Sequence, residues 1–336
     1  MINRHSRHIA SARHIPTTLR IASIVVIAAF SLTASAQEPS AASPQANPAP
    51  PNADSKSQTV EPAEVRPVEG VDAATLLKES REKLATYRTL SARMSETIEF
   101  GPRRLKAEGR YLQGAGNRVR IELEVAVGEN KGTLLQISEG DVLYTVYGTG
   151  PTPRITRRDV KQILAAVKGD QAKSALSAEL GLGGLPALLA AIEQTIDFEP
   201  PMTTTIDGRE FFVLEGTWKG PIAAQFQQQA QQLPTPSTEP RPLPAHIPEL
   251  VRLYLDSETR FPYRIRYLKR SASAGEAPIP LLTIDFSDIV VNASLDPSEF
   301  RYSQPADAQV NDITKMYLQQ LQGGQPAPTP PVAPPQ

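Results

Sequence analysis

The chain has 336 residues with no Cys, four His, 32 Pro and one Trp, and a formal charge of −1. Without Cys there are no disulfides, no thiolate nucleophile and no Cys-based zinc or iron–sulfur site. Three histidines (His5, His8, His14) stand near the start beside Arg4, Arg7, Arg13 and Arg20. Past that region only His246 remains, which excludes a multi-histidine metal site and leaves one imidazole for any Ser-His-Asp triad.

Residues 1–36 read as a secretory signal: a basic start, the apolar run Ile21–Leu32, then Ala34-Ser35-Ala36 as a small-x-small cleavage pattern. Twelve residues of helix cover roughly 18 Å, short of a ~30 Å hydrocarbon core, so a cleaved signal is favoured over an anchor. Cleavage after Ala36 leaves 31 basic against 36 acidic residues, a formal charge of −5. That balance argues against nucleic acid as a partner. No Cys follows the apolar run, which excludes lipid attachment there. The expectation is a soluble protein of the periplasm, held together by its own core.

Prolines punctuate the rest. Seven fall in 39–67, seven in 221–248 and six in 326–335. Residues 37–69 read as a polyproline-like linker and 322–336 as a disordered tail. The Gln-rich window 221–248 reads as a surface excursion with one short helix between two strands. A single domain over 70–321 remains.

That domain opens with a helix in which Asp72 precedes Leu76, Leu77, Leu84 and Tyr87. The period then changes from 3.6 to 2. Met94, Ile98 and Phe100 alternate with polar neighbours, as do Leu105, Ala107 and Tyr111. In 118–125, Val119, Ile121, Leu123 and Val125 alternate with charged residues. Strands around Leu134–Ile137 and Val142–Tyr147 follow, with Gly-rich turns between segments. Helical spacing over Asp159–Val167 and Gln171–Leu180 interrupts the meander, then Gly181–Gly184 breaks the chain ahead of the apolar helix Leu185–Ile192. Strands resume at Met202–Ile206, Glu210–Trp218, Leu250–Asp256, Tyr263–Lys269 and Leu281–Val291. The first two of these meet at the turn Asp207-Gly208. About ten strands and few helices point to an α+β fold. Its antiparallel sheet is strongly curved into an unclosed barrel, with helices in or over the concave face.

The last third resembles the LolA-like family of periplasmic lipoprotein carriers. The resemblance rests on Val251–Asp256 leading through Phe261-Pro262 into Tyr263-Arg264-Ile265. It rests also on Thr283–Asn292 followed by Leu295-Asp296-Pro297, Phe300 and Pro305. Signal, opening helix, meander and interrupting helices keep the family's order over roughly 71–306. The resemblance implies a half-barrel that binds acyl chains under a helical lid. Related sensors of envelope stress share the fold. The Arg that latches the lid in several carriers has no counterpart that can be aligned here.

The ligand-facing candidates are Met94, Ile98, Tyr111, Ile121, Leu123, Tyr144, Leu253, Ile265, Ile284 and Phe286, with Leu188, Leu189 and Ile192 as the lid. Each is also an ordinary core residue by type. The acid pairs Asp256/Glu258 and Asp285/Asp288 have the spacing of turn and edge residues, so no catalytic site and no enzyme are expected. Gly181–Gly184 lacks the phosphate-loop pattern. Asn292-Ala293-Ser294 reads as a structural turn, and His246 as a surface residue. No cofactor or metal is expected. The expected function is reversible shielding of lipid or lipoprotein acyl chains by a monomer, with an envelope membrane protein as donor or acceptor. The alternative is a sensor or protein-interaction module on the same fold.

Overall fold

The computed structural model describes residues 66–323, apart from 69, 102, 129, 149–151, 170–172, 174, 175, 179, 232–242, 272 and 274. The expected signal, the linker up to residue 65 and the tail from residue 324 lie outside the described residues.

Two meanders build the sheet. After β1 (Arg66–Pro67) and helix α1 (Ala73–Ala85), the first meander runs β2 (Leu90–Phe100), β3 (Arg103–Gln113), β4 (Arg118–Val127), β5 (Asn130–Glu139), β6 (Val142–Gly148) and β7 (Arg154–Asp159). Helices α2 (Val160–Ala165) and α3 (Gly184–Thr195) follow. The second meander comprises β8 (Ile196–Phe198), β9 (Met202–Ile206), β10 (Arg209–Trp218), β11 (Leu250–Asp256), β12 (Pro262–Lys269) and β13 (Ile279–Val291), with α4 (Gly220–Gln231) between β10 and β11. A 3-10 turn (Pro297–Phe300), β14 (Val310–Asp312) and α5 (Thr314–Gly323) end the described chain.

Antiparallel pairing of β13 with β2 joins the meanders, giving the order β1-β9-β10-β11-β12-β13-β2-β3-β4-β5-β6-β7-β14 with β8 beside β10. The order does not close. Fourteen strands exceed the expected ten, because β1, β8 and β14 are too short to show a period and β7 (RITRRD) is mostly charged. The pair β14–β7 is parallel, so the sheet is mixed rather than purely antiparallel. Arg66–Pro67, expected in the linker, pairs with Thr203 and Met202.

Local chemistry sets the elements. The Asp72 carboxylate caps α1 by accepting the Thr75 amide at 2.7 Å, while Leu76, Leu77 and Leu84 turn one buried stripe inward. Asp207 and Gly208 both lie in the left-handed region (φ 51° and 75°), the geometry of a two-residue hairpin whose twist suits the flanking strands β9 and β10.

Strand alternation gives the sheet an inner and an outer face. Val119, Ile121, Leu123 and Val125 point inward on β4, across from Gln113, Tyr111, Gly109 and Ala107 on β3. Leu134 on β5 and Leu214 on β10, near opposite ends of the strand order, belong to one apolar cluster with Leu77 of α1 and Leu189 of α3. The sheet is therefore curled around these two helices. A second cluster continues the inner face past β6: Leu143 packs with Val160, Ile163, Leu176, Leu180 and Leu182, under Tyr317 and Leu318 of α5.

The excursion is partly core. Phe226 of α4 is buried edge-on against Trp218 at 5.3 Å between ring centroids, and the Trp218 indole donates to the Pro248 carbonyl at 2.6 Å. Residues 232–242 of the window lie outside the described residues.

Candidate functional site

The site is the inner face where α3 crosses it. The sequence GLPALLAAIEQT places Leu185, Leu188, Leu189, Ala191 and Ile192 in buried positions on one face, and the other side chains of the helix are half-buried rather than exposed. Such a helix has to be covered by protein on several sides. Its first turn is held by the sheet. The Leu185 amide donates to the Tyr111 hydroxyl at 3.1 Å and also approaches Gln113 Oε1 at 3.3 Å. The same Tyr111 hydroxyl donates to Gln113 Oε1 at 2.7 Å. One of the unpaired amide donors of the helix start is thus satisfied by β3. Gly184 is required there. Its φ is +60°, and a Cβ would fall 2.1 Å from Gln113 Oε1 and 2.6 Å from the Tyr111 hydroxyl. Further along, Glu193 pairs with Arg81 of α1, and the Glu193 carbonyl accepts Lys219 Nζ at 2.8 Å.

Between α3 and the strands lies an apolar cavity lined by Met94, Tyr111, Val119, Ile121, Ala178, Gly181, Gly184, Leu185, Leu188, Tyr267, Leu282, Ile284 and Phe286. About 40 Å³ is open to the centre of a water-sized sphere, within a recess of about 590 Å³ that includes its mouth. The enclosed part is a small slot, because α1 and α3 both pack against the inner face.

Of the residues expected to face a ligand, Met94, Tyr111, Ile121, Ile284 and Phe286 line this cavity, as does Leu188 from the expected lid. Tyr111 and Phe286 meet edge-on at 5.6 Å. Leu123, Leu253 and Ile265 are buried in the same cluster without lining the cavity, Ile98 is half-buried at its edge, and Leu189 and Ile192 are fully packed. Tyr144 is not on this face. It pairs with Ile137 on the outer side, where its ring lies 4.8 Å from that of Tyr302, and Leu143 takes the inward position. The reason is the C-terminal segment: it crosses the outer face of β4 and β5, with the Arg120 guanidinium donating to the Glu299 carbonyl at 3.0 Å.

Two polar residues of this face escape an apolar pattern search. Glu96 stands between Met94 and Ile98 on β2, in register with Ala107 and Ile284. It is 1% exposed, and neither carboxyl oxygen has a hydrogen-bond partner among the described residues. Burial alone holds its pKa well above the ordinary 4.5. The Tyr267 hydroxyl is likewise buried without a partner, and burial pushes its pKa up. Glu96 was legible as a carboxylate in phase with an apolar alternation.

The acids weighed for catalysis build structure. Asp256 accepts the Thr259 amide and hydroxyl, both at 2.7 Å, and pairs with Arg209 at 3.1 Å. Asp285 pairs with Arg264 on the outer face, and exposed Asp288 occupies a register shift in β13 at φ 50°. Asn292 turns the chain at φ 58°, accepting the Arg88 amide at 2.9 Å. Among the described residues, no cluster of His, Asp and Glu could hold a metal, and no helix is long and apolar enough to cross a membrane.

An open, curled sheet with an apolar inner face packed on α1 and α3 is a half-barrel, the architecture that the LolA-like resemblance implies. No family model and no curated protein matches the chain. Solved structures do. The chain is similar to the lipoprotein LppX of Mycobacterium tuberculosis at 9% identity and a TM-score of 0.35, covering 67% of this chain and 99% of that one. It is similar to a domain from Vibrio parahaemolyticus described as an outer membrane lipoprotein-sorting protein, at 11% identity and a TM-score of 0.30, covering 68% and 97%. A chain of the Pseudomonas aeruginosa MucA/MucB complex aligns at 13% identity and a TM-score of 0.35, covering 69% of this chain and 62% of that one.

Proposed function

We propose that this protein binds the acyl chain of a lipid or lipoprotein reversibly within its half-barrel, in the periplasm of the cell envelope, with α3 as the element the chain displaces. The observation that carries this reading is the slot under α3, whose walls are Met94, Val119, Ile121, Leu188, Ile284 and Phe286.

The 40 Å³ open to the centre of a water-sized sphere is far too little for a long acyl chain, so such a chain enters only as α3 moves outward. The exchange is near balance. Exposing Leu185, Leu188, Leu189 and Ile192 costs about 6–12 kcal/mol, and burying 12–16 methylenes returns about 10–13 kcal/mol. Near balance is what reversible carriage needs, since the ligand is shielded in water yet released to an acceptor.

Titration with N-phenyl-1-naphthylamine, a neutral fluorophore that brightens in apolar surroundings, tests the reading. Saturable binding that long-chain acyl compounds displace, and that a slot-filling Ile121→Trp variant of unchanged fold weakens at least tenfold, is the expected result. Absence of saturable binding by the wild-type chain overturns it.

A further inference from the structure

An acyl-binding cavity has no need of polar groups, yet the inner face around this one carries two that have no hydrogen-bond partner. Tyr267 lines the cavity directly, 3% exposed, with its hydroxyl unpartnered. Glu96 lies on the same face, one pleat from Met94 and in register with Ile284, both of which line the cavity. Its two oxygens also lack partners. The residues are two strands apart, with β13 between them, and Tyr267 is in register with Leu282, itself opposite Ile98. Buried polar groups left unpaired are costly, by about 1–3 kcal/mol each, and are rare in folded proteins. A bound group that satisfies them recovers that cost.

We infer that Glu96 and Tyr267 form a polar subsite that selects an acyl chain bearing an ester or amide carbonyl over a bare hydrocarbon. The inference rests on the acyl-binding reading above and adds the chemical class of the ligand.

The donor count decides the class. Burial raises the pKa of both groups and so favours the forms that carry an O–H donor, Tyr267 on the cavity wall and Glu96 beside the lining residues Met94 and Ile284. The complement of an O–H donor is an uncharged acceptor with apolar flanks, and a carbonyl inside an acyl lipid is one. An ammonium would have to ionise Glu96 and bury an ion pair with no further hydrogen bonds, whose desolvation offsets the attraction. A free carboxylate would enter without a cation, since no Lys, Arg or His lines the cavity among the described residues.

Displacement of N-phenyl-1-naphthylamine from the full chain tests this, with methyl laurate, N-methyl lauramide, tridecane, laurate and dodecylamine as competitors. Methyl laurate and N-methyl lauramide are expected to displace at about tenfold lower concentration than tridecane, the worth of one buried hydrogen bond. The better of the two tells ester from amide. Tyr267→Phe and Glu96→Leu should each reduce that ratio to threefold or less while tridecane still binds. Glu96→Gln, which keeps a neutral donor in place, should restore most of what Glu96→Leu loses. Equal displacement by tridecane and the carbonyl compounds in the wild type overturns the subsite and leaves the acyl-binding reading intact. Preference for dodecylamine or laurate also overturns it. Failure of the fluorophore to bind at all defeats the acyl-binding reading first, and the subsite with it.

Discussion

The Leu185 amide donates to the Tyr111 hydroxyl at 3.1 Å, so the start of α3 is fastened near the C-terminal end of β3 by a side chain that also lines the cavity. One strand side chain therefore serves both helix and slot. Tyr111→Phe should remove this bond at a cost of about 1–1.5 kcal/mol. Hydrogen exchange of the amides of Leu185, Ala187, Leu188 and Leu189 should quicken about tenfold, with the β4 amides unchanged, because local opening is governed by local contacts. Equal protection in both chains would show that the bond does not hold the helix.

Gly184→Ala should lower stability by about 1–3 kcal/mol, since the new methyl meets Gln113 and Tyr111 at a positive φ. Gly220→Ala is the control: nothing lies within 4 Å of its Cβ position, and the change should be neutral or stabilising by up to about 1 kcal/mol. Urea midpoints of the two variants should shift in opposite directions or differ clearly in size.

Glu96 makes stability depend on pH, and the sign follows from its raised pKa. Below its ordinary pKa of 4.5, folded and unfolded chains both keep the proton. Above it the unfolded chain ionises while the folded one stays neutral. The unfolding free energy should then fall by about 1.4 kcal/mol per pH unit until the folded carboxyl also ionises. Glu96→Gln lacks this contribution, so it should gain on the wild type from pH 4 to pH 7. Parallel stability curves for the two chains across that range would refute the burial of an uncompensated carboxyl.

Asp256→Ala should cost about 2–4 kcal/mol, because it strips the Thr259 donors of their acceptor and leaves Arg209 unpaired beside a nearly buried site. N-phenyl-1-naphthylamine binding per folded molecule should be retained. Loss of binding without loss of stability would give Asp256 a role at the ligand rather than in the turn.

The sequence and the structure agree where one alternation dominates. On β4, Val119 to Val125 have charged neighbours, and the inner face follows directly. On β6 both alternations are apolar: Val142, Tyr144 and Val146 compete with Leu143, Thr145 and Tyr147. The face is settled from a distance, by Tyr302 covering Tyr144 outside and Val160 and Ile163 receiving Leu143 inside. Charge hid β7. Arg158 is buried on its inner side, donating to the Thr145 hydroxyl at 3.2 Å and lying over the Tyr317 ring at 5.2 Å. Neither partner is near it in sequence. An apolar pattern selects hydrocarbon, so it passes over Glu96 and Tyr267, polar residues buried within it.

The two rims of the sheet are finished by its shortest members, β1 with two residues and β14 with three. A long bare rim invites a second copy to dock by backbone pairing and to polymerise. Among the described residues, each finishing strand offers few amides to an intermolecular ladder. Both finishing strands come from outside the meanders, and each shields a longer strand, β9 on one side and β7 on the other. Trimming the chain at either place would turn a self-limiting sheet into a template for its own aggregation.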